Sequence, residues 1–119
     1  MINQLEVPMY VEEALPEMAA DLLKAGNKNT PYEIMNSLTT FTNRNIQEHN
    51  YTTVKRCFVV ADKLYSKGNG AVKNAVENVF MFSLTSMLMC NAVDKKKVLA
   101  IIPVTLYSLY MSQLYHGGC

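Results

Sequence analysis

Charge is scarce in this 119-residue chain: 18% of its residues are Asp, Glu, Lys or Arg, against about 25% in an ordinary domain. Neither sign dominates. Eleven Lys and Arg against ten Asp and Glu leave a formal net charge of +1. That excludes a polyelectrolyte-like nucleic-acid binder, whose affinity needs a large basic excess. Cysteine is scarcer still. Cys57, Cys90 and Cys119 are widely spaced and contain no Cys-x-x-Cys pair, so neither a disulfide framework nor a zinc ribbon is expected. The only histidines, His49 and His116, have no carboxylate or Cys at local ligand spacing, which leaves a metal site or a catalytic triad without support. Gly and Pro total nine, and no apolar–polar alternation reaches strand length. The N-terminus, Met1-Ile2-Asn3-Gln4-Leu5-Glu6, has no basic region followed by an apolar stretch and does not read as a signal peptide. A cytoplasmic, reducing compartment is the expectation.

Half of the residues are hydrophobic. Such a chain can offset its ordering entropy and is not intrinsically disordered. Its length suits one domain, residues 1–119 with a flexible tail at 116–119.

Helix punctuation recurs along it. Pro16 can open a helix carrying Met18, Ala19, Leu22 and Leu23 and stopping at Gly26. Thr30 and Glu33 form a capping box with Pro31 at the first helical position. The helix behind them carries Ile34, Met35, Leu38, Phe41 and Ile46 and fades near residues 49–50. Over residues 52–66, Val54, Cys57, Phe58, Ala61, Leu64 and Tyr65 make one apolar stripe, with Lys55, Arg56, Asp62, Lys63 and Lys67 on the other side. Gly68 stops that helix and Asn69 can cap the next.

Residues 71–91 change character partway. Val72, Ala75, Val76, Val79 and Ser83 form a core stripe, with Lys73, Asn74 and Glu77 facing away. At about 100° per residue, Met81, Leu84 and Leu88 continue that outward face. This half therefore reads as apolar all round and must be covered on two sides. Asp94 caps a further helix with Lys95, Lys96 and Lys97 in its first turn, opposed to the helix dipole. Pro103 breaks it, and a last helix spans 104–115. The fold expected is all-α, a compact bundle of five or six antiparallel helices joined by short loops.

Residues 78–93 and 98–115 are uncharged runs of 16 and 18 positions. The second just reaches the length at which a membrane span begins. Both carry too many Asn, Ser, Thr and Gln to be lipid-facing cheaply, so a buried hairpin is expected and no membrane.

Candidate chemistry is sparse. Glu12, Glu13 and Glu17 could begin a di-metal motif only with a Glu-x-x-His elsewhere, and none occurs, so they read as a solvated face. Lys67-Gly68-Asn69-Gly70 lacks the spacing of either nucleotide-binding loop. No cofactor is expected. Arg56, Asn74, Glu77 and Asn78 form the most interesting polar cluster, either a small binding site between two helices or a clamp fixing their register. Acids crowd residues 1–21 and bases residues 55–97. The basic stretch can meet nucleic acid, an acidic partner, or the chain's own N-terminal acids.

The segments His49-Asn50-Tyr51, Val54-Lys55-Arg56-Cys57-Phe58, Ala61-Asp62-Lys63-Leu64-Tyr65, Gly68-Asn69 and Val72 to Phe80 resemble a family of small bacterial proteins of unknown function, seen mainly in Bacteroidota. The terminal Gly118-Cys119 is similar as well. The resemblance implies an all-helical bacterial cytoplasmic domain and supplies no activity, cofactor or catalytic residue.

These observations point to a non-enzymatic interaction module that self-associates, with a homodimer the commonest solution. Met81, Leu84 and Leu88, with a stripe of Tyr107, Tyr110, Met111 and Leu114, are the candidate interface; alternatively they complete the chain's own core. Other readings are an antitoxin-like or immunity-type partner of a neighbouring gene product, and a ligand-binding pocket at the polar cluster.

Overall fold

The structure, a computed structural model, describes residues 2–3, 6–18, 31–89 and 95–115, with Pro31 and Tyr115 described by their backbone alone. Helix α1 is Val7–Ala14. Val7, Val11 and Leu15 recur every four residues and are fully buried, which gives this short segment one apolar edge. The sequence points to a helix starting at Pro16, but one already ends there. Proline disfavours helical backbone at the residue before it, and Leu15 leaves the helix at φ −133°, ψ 76°. A single 3-10 turn, Pro16–Met18, follows. Ala19, Leu22, Leu23 and the Gly26 stop lie outside the described residues, as do Thr30 and the cap it was expected to form.

Helix α2, Pro31–Gln47, starts at the expected proline. It buries Ile34, Met35, Leu38, Phe41 and Ile46, the five residues its periodicity selects. Its end is a Schellman closure. The Asn50 amide donates to the Asn45 carbonyl at 2.9 Å and the His49 amide to Ile46 at 3.0 Å. His49 takes the left-handed conformation at φ 60°.

Helix α3, Tyr51–Lys67, buries Val54, Cys57, Phe58, Ala61 and Leu64 and exposes Lys55, Arg56, Lys63 and Lys67, while Tyr65 of the expected stripe and Asp62 opposite it are both half-buried. Gly68 then turns the chain in extended backbone (φ −76°, ψ 158°). Its glycine identity therefore does not serve a left-handed stop. A Cβ there would run into the Leu64 carbonyl oxygen and the Val72 side chain. Asn69 caps the next helix as expected, its side chain accepting from the Val72 amide at 3.1 Å.

Helix α4 covers residues 70–89 in three parts: Gly70–Ala75, a π-helical turn Val76–Met81 and Phe82–Met89. The π turn corrects the sequence reading. Its i→i+5 bonding accommodates one residue more than α geometry does, so Val76 and Met81, five apart, come onto the same side. Everything beyond is rotated by about one residue's angle, roughly 100°. Met81, Leu84 and Leu88, expected on the outward face, are 0%, 2% and 0% exposed. What reads as a helix apolar all round is one stripe shifted in phase by a single residue.

Helices α5, Lys95–Ile101, and α6, Val104–Tyr115, are separated at Pro103 as expected; Asp94 lies outside the described residues. Helices α2 and α3 pack on each other and on α4. Helix α6 packs on α4 and α3, α1 on α3 and α2, and α5 on α3. Phe58 and Phe80 meet edge to face at 6.2 Å between ring centroids, joining α3 to the π turn, an arrangement aromatic pairs favour. The N-terminus adds one contact that helix periodicity does not foretell. Ile2 lies as a parallel bridge beside Gly68, its amide donating to Lys67 at 2.6 Å and its carbonyl accepting from Asn69 at 2.9 Å. The radius of gyration is 13.3 Å, that of a compact domain of this length. The fold is all-α.

Candidate functional site

The polar cluster is not assembled. Arg56 leaves α3 toward the N-terminal segment, donating to both oxygens of Glu17 at 2.7 and 3.2 Å and to the Ala14 carbonyl at 3.1 Å. The guanidinium hydrogen bond holds the Glu17 carboxyl below its ordinary pKa and raises that of Arg56. Asn74 and Asn78 are exposed and Glu77 is half-buried. The structure thus draws Arg56 away to an acid of the N-terminal segment. At this position the basic stretch meets the chain's own acids.

Near Glu77 a different polar relay replaces the expected one. Gln113 on α6 donates through Nε2 to the Glu77 carbonyl at 3.0 Å and accepts through Oε1 from the Thr85 hydroxyl at 2.7 Å. A π turn loosens the usual i→i+4 ladder, which leaves a carbonyl open to such a side-chain donor. The amide therefore fastens α6 across the π turn. Gln113 is one of several polar residues on α6, with Thr105, Ser108 and Ser112, and sequence spacing alone gives no reason to pair it with Thr85 or Glu77.

The candidate interface divides. Met81, Leu84 and Leu88 belong to the core, and so does Tyr110, at 2% exposure. Their apolar surface is already covered within the chain, so they are not available at an interface. On the outer side of α6, Val104 is 83% and Tyr107 42% exposed, with Met111 and Leu114 half-buried. Helix α6 carries no charge along its length.

A second surface lies along α1. Met9, 67% exposed, stands between two adjoining grooves. One, of about 400 Å³, is lined by Met9, Glu12, Glu13 and Pro16. The other, of about 200 Å³, is lined by Ile2, Glu6, Met9, Tyr10 and Glu13. The Glu6 carboxylate is occupied, accepting from the Asn3 amide at 3.3 Å, while its own amide donates to the Asn3 side chain at 3.2 Å. Among the described residues Glu12 and Glu13 have no cationic partner.

Two of the basic side chains rest on tyrosine rings: Lys97 over Tyr51 at 5.6 Å and Lys73 over Tyr65 at 5.9 Å. Lys95, Lys96 and Lys97 are all exposed. Cys57 is a buried free thiol; burial pushes its pKa up, which disfavours the nucleophilic thiolate. Among the described residues no three His, Cys, Asp or Glu side chains converge as a metal site. None of their helices is long and apolar enough to cross a membrane.

No curated protein and no solved structure matches this chain. Residues 8–116 match the family described as Domain of unknown function (DUF7674). That match takes in every helix from the second residue of α1 through the end of α6, and the chain belongs to that family.

Proposed function

We propose that this chain is a non-enzymatic protein–protein interaction module that self-associates through the outer side of α6, in a reducing, cytoplasmic setting. One observation carries the reading: an uncharged helix on which Val104 and Tyr107 stand exposed in line with half-buried Met111 and Leu114. Positions 104, 107, 111 and 114 recur at helical spacing. An apolar stripe with aromatic and Met anchors is the composition favoured at the core of interfaces. The buried, unpaired Cys57 thiol supports the compartment, since free buried thiols persist where disulfides do not form.

Size-exclusion chromatography with light scattering across micromolar concentrations tests it. The expected mass is that of two or more copies, and Val104→Glu together with Tyr107→Glu returns the protein to a monomer with its helical circular dichroism intact. A wild-type protein that stays a monodisperse monomer throughout the range overturns the reading.

A further inference from the structure

We infer that the surface receiving α6 is the acidic groove of α1 on a second copy, so that the contact joins two different faces of the chain. This rests on the self-association proposed above and specifies its geometry. Met9 and Val104 are the two most exposed large apolar residues described, at 67% and 83%. The helix of Met9 carries acids, and the helix that precedes Val104 carries bases. Beside Met9 stand Glu12 and Glu13. Leading into Val104 is the short helix α5, which opens on exposed Lys95 and Lys96. Among the described residues neither lysine has an anionic partner, and neither glutamate has a cationic one.

Glu12 and Glu13 are also set against their own helix: they lie in the last turn of α1 with no base there to balance them, and carboxylates at a helix C-terminus oppose the local dipole. Bringing Lys95 and Lys96 of a second copy to that end relieves the mismatch, while Val104 covers Met9. Two acids meet two bases around one apolar contact.

A heterologous contact of this kind closes if two copies engage reciprocally and otherwise propagates into chains. Because its rim is charged, it weakens with salt, whereas a purely apolar α6–α6 contact does not.

Charge reversal provides the test. The double variants Glu12→Lys/Glu13→Lys and Lys95→Glu/Lys96→Glu each place like charges across the contact, and each alone is expected to self-associate at least about tenfold more weakly than wild type. Mixed in equal amounts, the two restore oppositely charged pairs at every contact and recover the wild-type mass by light scattering. If either charge variant self-associates like wild type, or the mixture fails to recover, the groove is not the counter-surface. Should Val104→Glu still give monomers in that event, self-association through α6 survives without it. A monomeric wild type overturns both. The substituted residues are exposed, and circular dichroism confirms that each variant is folded.

Discussion

Glu17 and Arg56 are joined by two hydrogen bonds through the Arg56 guanidinium, 39 positions apart in the chain. The pair fastens the turn after α1 to the exposed side of α3. Because the pKa of Glu17 is lowered in the folded protein, its contribution to stability is full above the ordinary glutamate range. It is lost as pH falls through the lowered folded value. Both side chains are nearly half exposed, so screening keeps the effect below about 1 kcal/mol. Urea unfolding of wild type and Glu17→Gln should differ at about pH 7, and the difference should shrink as the pH falls below the ordinary glutamate range.

Gly68 has no room for a methyl group between the Leu64 carbonyl and Val72. Gly68→Ala is expected to destabilise by about 1–3 kcal/mol, toward the upper end because one neighbour is backbone and cannot rotate away. Thermal unfolding measures it. Gly70, where a Cβ meets nothing within 4 Å, supplies the control: Gly70→Ala should be neutral or slightly stabilising.

Gln113→Leu removes the relay between the π turn and α6, leaving the Thr85 hydroxyl and the Glu77 carbonyl without this partner. A loss of about 1–3 kcal/mol is expected. Adding Thr85→Val should cost less than the sum of the single changes, since the pair shares one hydrogen bond. Chemical denaturation of the two singles and the double reads the coupling directly.

Thr39 is buried and its hydroxyl has no hydrogen-bond partner. Replacing it with a methyl group of similar shape removes an unsatisfied polar atom from the interior. Thr39→Val is therefore expected to be neutral or to stabilise by up to about 1 kcal/mol, read as a higher urea midpoint with an unchanged slope.

Local patterning carries α2, α3 and the break at Pro103, because each is long enough for periodicity or marked by a residue that admits little else. Helix α1 escapes a sequence reading for the opposite reason. Its stripe is only Val7, Val11 and Leu15, and its prolines read as punctuation. In α4 the apolar residues are visible, but their phase is not. A fixed angle per residue sends Met81, Leu84 and Leu88 outward, and only the π turn returns them to the core. The polar cluster fails on a still longer scale. Nothing near Arg56 in sequence says that its partner is Glu17 rather than Glu77, since packing of α1 against α3 makes that choice. Tyr107, Met111 and Leu114 keep part of their expected exposure, whereas Tyr110, one residue further round the helix, does not.

The bridge between Ile2 and Gly68 bears on the order in which the molecule comes together. Most helix contacts can form among neighbours in sequence, which favours fast folding. The two backbone bonds of Ile2 instead join residues far apart in the chain, at the turn between α3 and α4. The amide of Asn69, which donates to Ile2, is thus a reporter of that long-range contact. Its hydrogen exchange should follow the docking and release of the segment that carries Ile2, while the amides within α3 and α4 exchange only when the helices themselves open.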